Sequence, residues 1–141
     1  MEYPECFPEN FEKEILPKEA KEDEKDVYKI IKSGIIDRNG FISTYEEIKR
    51  GLIPPKKCID LSDPGLYSTS CNIERSEAEY VLNIFMRHQP KVFIAKGKTK
   101  PTCGPCQLTS ESKEDKTTHV DWWIYKNANP QLYFKEVNNN E

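Results

Sequence analysis

In HVDWWIYK, residues 119–126, Val120, Trp122 and Ile124 alternate with Asp121, Trp123 and Tyr125, so both alternating sets carry large side chains. Alternation at period two is a strand signal, and bulk on both sides marks a strand covered on both faces for much of its length. Such a strand needs neighbours in a sheet. DVYKII, 26–31, is rich in β-branched and aromatic residues and stops at Ser33-Gly34, the signature of a first strand. LYSTSC at 66–71, KVFIAKGK at 91–98 and QLYFKEV at 131–137 are further β-prone runs.

Two helices fall between them. STYEEIKRG, 43–51, offers Ser43 or Thr44 as N-cap with a glutamate three residues on and a closing glycine, a capping box and C-terminal stop. NIERSEAEYVLNIFMRHQP spaces Ala78, Val81, Leu82 and Phe85 at helical intervals and ends at Pro90, which predicts an amphipathic helix. The proline-rich 52–65 reads as a loop, and 99–118 as a long loop or wide hairpin. The order β-α-β-α-β-β-β predicts a single α+β domain with a mostly antiparallel sheet and two helices.

A chain of 141 residues can bury most of its apolar surface without metal or disulfide staples. Its charge is uneven. Residues 1–26 hold ten acidic and four basic residues, a net of −6, leaving 14 acidic and 17 basic residues, +3, for 27–141. The acidic segment 1–26 is expected to be partly ordered before a domain spanning 27–141, because PKEAKEDEKD has almost nothing to bury. The alternative is that it lies on the basic body and screens a site for an anionic ligand. No run approaches the length of a membrane span, no secretory signal opens the chain, and five irregularly spaced cysteines do not make a complete disulfide framework. A cytoplasmic setting with reduced thiols is the expectation.

Candidate chemistry gathers in CGPCQLTSESKEDKTTHVDWW, 103–123. Cys103, Cys106 and His119, with Cys71 or Cys58 as a fourth ligand, are donors that suit zinc. Only one paired-cysteine motif exists, and two reduced thiols in a Gly-Pro turn is the plainer account. Cys-Gly-Pro-Cys is also spelled like a redox dithiol, but no helical period follows it. His119 opens a strand, where it either caps the end by bonding a loop carbonyl or contacts a ligand. YSTSCN, 67–72, puts Ser68, Thr69 and Ser70 before a helix, where they serve either an anion pocket or ordinary N-capping by Ser70 or Asn72. Tyr67, Ser68, Thr69, Ser70, His119 and Trp123 are therefore the candidate ligand-binding set, for a small anionic or nucleotide-like ligand. A Ser-His-acid hydrolase drawn from Ser68, Ser70, His119 and Asp121 has no nucleophile elbow, and GKTK at 97–100 lacks the earlier glycine of a phosphate loop. Lys91, Lys96, Lys98 and Lys100 read as a lysine-guarded edge strand, since a net charge of −3 weighs against nucleic acid.

Tyr-Ser-Thr-Ser on a strand resembles the Ser-Thr-Ser element of the arginine-type ADP-ribosyltransferases. That resemblance implies NAD as cofactor and a catalytic set of Lys29, Ser68, Ser70 and Glu136. Lys29 stands where the family carries arginine, and the only Glu-x-Glu, Glu77-Ala78-Glu79, falls on the predicted helix. More broadly the chain is similar to small proteins of gut bacteria and their prophages, which implies a bacterial or phage setting and no activity. A binding or interaction module for an anionic ligand or a protein partner is the leading expectation, with an NAD-using enzyme and a zinc-stapled domain as alternatives.

Overall fold

A computed structural model of the chain describes residues 2–54, 58–109 and 118–137. It has a six-stranded sheet in which every pairing is antiparallel, together with helices, an α+β architecture. In chain order the elements are β1 (Asp26–Ile31), α1 (Thr44–Lys49), β2 (Thr69–Asn72), α2 (Arg75–Met86), β3 (Phe93–Lys98), β4 (Cys106–Leu108), β5 (His119–Trp122) and β6 (Phe134–Glu136), with short helical turns between them. The spatial order is β4-β5-β2-β1-β3-β6. No helix among the described residues is long and apolar enough to cross a membrane.

Local chemistry accounts for the helices. Ser43 Oγ accepts from the Glu46 amide at 3.1 Å, and α1 stops at Gly51, whose φ is +74°. Such a cap contributes about 1 kcal/mol. α2 lays Ala78, Val81, Leu82 and Phe85 over Ile30, Val92 and Ile94 on one sheet face. The opposite face carries Val27, Ile31, Cys71, Ala95, Val120 and Trp122, with Phe41 and Phe134 closing over them.

That second face is the inside of a curl. β3 and β4 are separated by β1, β2 and β5, and a flat sheet would hold them about 19 Å apart. Yet Cys106 Sγ at the start of β4 lies 3.7 Å from Thr99 Oγ1, one residue beyond β3. The sheet bends round until the two nearly meet, and the lead-in to β1 fills the seam. Lys21 exchanges backbone hydrogen bonds with Cys106 (3.0 and 2.8 Å), while buried Thr99 donates to the Asp23 carbonyl at 2.8 Å and accepts from the Lys25 amide at 2.9 Å.

Three strand boundaries differ from the sequence reading by three residues or more, each because of a proline. Pro64 and Pro130 start helical turns, Pro64–Tyr67 and Pro130–Tyr133, so the flanking strands begin only at Thr69 and Phe134. Past Trp122 the backbone stays paired, with the Trp123 amide on the Pro105 carbonyl at 2.9 Å and the Tyr125 amide on the Cys103 carbonyl at 2.8 Å. Pro105 has no N–H to return, and the ladder thins there. Residues 99–118, read as loop or hairpin, contain β4. β3 is not an edge: β6 pairs beside it, so its lysines do not guard a free strand.

The acidic segment is anchored by aromatics. Phe7 and Phe11 are buried with Leu66, Tyr67 and Trp123, and Tyr3 packs against Phe7, Phe11 and Tyr125. Residues 21–24 are exposed.

Candidate functional site

The hydroxyl-rich end of β2 and the imidazole of β5 lie on one face and are linked through Asp121 and Thr109. Asn72 is in register with His119 and Ser70 with Asp121, so alternation puts Ser68, Ser70, Asn72, His119 and Asp121 on one face. Asp121 sits at the centre. Its Oδ1 accepts from the fully buried Ser68 hydroxyl at 2.6 Å, and its Oδ2 accepts from Thr109 at 2.9 Å. Thr109 Oγ1 is 2.6 Å from His119 Nδ1. A threonine has one hydroxyl proton; with that proton on Asp121, the short contact requires His119 Nδ1 to be the donor. Gln107, in register with Asp121 on the other side, is buried with its amide nitrogen unpartnered.

This arrangement rearranges the predicted roles. The chain of contacts runs Ser68, Asp121, Thr109, His119, so Ser68 hydrogen-bonds the carboxylate and not the imidazole, and the Ser-His-acid order of a hydrolase is not assembled. The carboxylate also repels anions from this rim. Tyr67 donates its hydroxyl to the Leu61 carbonyl at 2.7 Å, and Trp123, 1% exposed, donates Nε1 to the Pro64 carbonyl at 2.8 Å. Both tie down the 60–67 loop and present no free ring. Thr69 is buried on the inner face of the sheet opposite Trp122. Of the expected ligand-binding set, Ser70 and His119 retain exposed or half-buried positions.

The set implied by the transferase resemblance does not converge. Lys29 points into the curl and is 7% exposed. Glu136 lies on the outermost strand β6, while Ser70 lies on β2 with β1 and β3 between. Three strand steps are about 14 Å. Ser70 also faces away from the buried Cys71 side, where alternation puts Glu136 with Phe134.

Cys71, Cys103 and Cys106 are buried, and Cys58 is exposed. Cys106 in register with Trp122 is three residues along β5 from His119, about 10 Å. Cys106 Sγ turns to Thr99 and the Asp23 carbonyl, and among the described residues no group of three or more His, Cys, Asp or Glu could hold a metal ion. Cys103, Cys106 and His119 are therefore not gathered as ligands. Burial raises the pKa of Cys103 and Cys106, the reverse of a redox-active thiol.

A different site lies between β3 and β6. Lys96 on β3 and Lys135 on β6 are directly opposed in register, and like charges so placed repel. Together with Lys98 and Lys100 they line a groove of about 780 Å³ floored by Gly97, Phe134 and the Tyr133 ring, a size typical of small-ligand clefts. Lys98 pairs with Asp26 at 3.1 Å, and Lys100 pairs with Glu24 while lying 5.2 Å from the Tyr133 ring centre. Lys96 and Lys135 have no carboxylate within ion-pair distance among the described residues. Comparison with protein-family models, curated proteins and solved structures gives no match.

The Asp121 cluster carries a stability prediction. Asp121→Ala takes the carboxylate from two hydroxyls, leaving Ser68 the longer contact to the Gly65 carbonyl at 3.1 Å, at an expected cost of about 2 kcal/mol in urea denaturation. Asp121→Asn keeps one acceptor oxygen and should cost less. Unchanged stability in Asp121→Ala would show that the cluster ties nothing together.

Proposed function

We propose that the protein is a binding module for a small anionic ligand, received in the lysine groove between β3 and β6. The observation that carries this reading is the opposed pair Lys96 and Lys135 without a neutralising acid. A sheet edge meant only for solubility gains nothing from two lysines set directly opposite in register. A polyanion that bridges them turns repulsion into attraction, with Lys98 and Lys100 within the same groove.

Glu24 and Asp26 engage Lys100 and Lys98 from the acidic lead-in. These pairs are exposed, so each contributes little to stability and is easily exchanged for a ligand anion. The sequence-based idea of an acidic tail screening an anion site is supported by this geometry at the groove rather than at His119.

The test is calorimetric titration with tripolyphosphate. Lys96→Glu with Lys135→Glu should abolish binding, and the single Lys135→Glu should leave folding stability equal or higher because it relieves repulsion. Glu24→Gln with Asp26→Asn should raise the affinity about threefold at low salt and less at high salt. Absence of tripolyphosphate binding to the wild-type protein at low salt would end this reading.

A further inference from the structure

A second cavity meets the lysine groove at Leu132 and Tyr133, which line both. Its volume is about 480 Å³, and its walls combine the apolar Tyr125 and Ala128 with Thr102, Asn127 and Asn129. The two side chains at the junction are unusually open for their size, Leu132 at 73% and Tyr133 at 44% exposure. They stand on the turn Pro130–Tyr133, which Pro130, itself fully buried, fixes to the body. A rigid turn therefore presents an aromatic ring and an aliphatic side chain between a cationic groove and an apolar cavity edged with amides.

That juxtaposition has a matching ligand shape. A nucleoside phosphate carries a flat, largely apolar base with polar edges at one end and a polyanion at the other. Tyr133 offers a stacking face, the amides of Asn127 and Asn129 both donate and accept as a base edge requires, and the lysines take the charge. Glu2, which also lines the cavity, would repel a phosphate but accepts from an exocyclic amine, so polarity runs one way along the site. A bare phosphate chain uses only the groove and leaves the apolar half empty.

We propose that the groove and the cavity form one bipartite site for a nucleoside polyphosphate, with the phosphates on Lys96, Lys98, Lys100 and Lys135 and the base beside Tyr133 in the cavity of Tyr125 and Ala128. This rests on the anion-binding reading above and adds the class of the ligand. Tyr133 is half-exposed and belongs to none of the buried clusters.

The full chain is titrated with ATP, GTP, CTP and UTP and with tripolyphosphate. At least one nucleotide should bind about tenfold tighter than tripolyphosphate, the scale of one base stacked on one aromatic ring. Ala128→Trp, which fills the cavity and does not line the groove, should remove that advantage while leaving tripolyphosphate affinity unchanged, and Tyr133→Ala, whose ring lines both halves, should remove the advantage as well. Equal affinity for all the probes, or an advantage that survives both substitutions, overturns the bipartite site and leaves the anion groove standing. If no probe binds, including tripolyphosphate, the groove reading falls with it.

Discussion

Gly104→Ala is expected to leave too little stability for a folded chain at ordinary temperature, with loss of the cooperative unfolding transition or insoluble expression. Gly104 has φ +137°, and a Cβ built on it would lie 1.9 Å from the Trp123 carbonyl oxygen and 3.2 Å from Ile124 Cα. Those are backbone atoms of the strand that continues β5, so neither side can yield without breaking the Trp123 and Tyr125 hydrogen bonds to Pro105 and Cys103. The Gly104 carbonyl also accepts from Trp122 Nε1 at 3.1 Å, holding the largest fully buried side chain of the inner core. Strain at a positive φ, a backbone collision and a displaced tryptophan together place the loss at about 4 kcal/mol or more. Gly51 is the internal control. It too has positive φ, but nothing lies within 4 Å of its Cβ position, and Gly51→Ala should cost only about 1 kcal/mol. Equal effects at the two positions in urea denaturation would show that conformation, not the close approach at Gly104, governs both.

The same motif shows why the sequence misled where it did. Cys-Gly-Pro-Cys has the spelling of a ligand or redox pair, and what it does is bring the chain across β5 at a separation only glycine permits. Nothing local encodes that, because the obstructing atom belongs to residue 123. β1, α1 and α2 were legible because their signals are local: β-branched runs, the Ser43 cap, the Gly51 stop and the helical spacing through Ala78. β4 was not, because Cys106-Gln107-Leu108 is extended only by virtue of its pairing with β5 and Lys21. The buried roles of Tyr67 and Trp123 depend on Phe7 and Phe11, which lie in a segment whose charge masks its anchors. The opposed lysines are 39 positions apart in sequence and become a pair only through register. The half-buried acid among aromatics in HVDWWIYK was the visible hint of the Asp121 cluster, since such a group must find donors.

Lys29→Met should make the protein more stable, by about 2 kcal/mol near neutral pH, a gain of about 8 °C in Tm at about 4 °C per kcal/mol. Lys29 projects from β1 into the inside of the curl, is 7% exposed, and has no hydrogen bond or ion pair among the described residues. Glu47, the carboxylate whose charge acts on it, is bonded at 2.9 Å to Lys32. Burial therefore pushes the Lys29 pKa down from 10.5, with Cys71 and Glu47 only partly opposing it. The sign follows from proton uptake. Between the lowered folded value and 10.5 the unfolded chain binds more protons than the native one, so this residue makes stability rise with pH across that window. Cys71 works the other way: burial first of all takes its thiol from 9.0 up to about 12, the native state then holds the extra proton, and its contribution falls as pH climbs from 9 towards 12. Subtracting the wild-type curve from that of Lys29→Met cancels Cys71 to first order, and the difference should shrink steadily as pH approaches 10.5. Urea midpoints with an unchanged slope, taken across that range, measure it. A Lys29→Met variant less stable than the wild type, or a gap independent of pH, would mean that the ammonium has a partner inside the curl. Tripolyphosphate affinity should stay the same in this variant, because Lys29 and the groove lysines lie on opposite faces of the sheet.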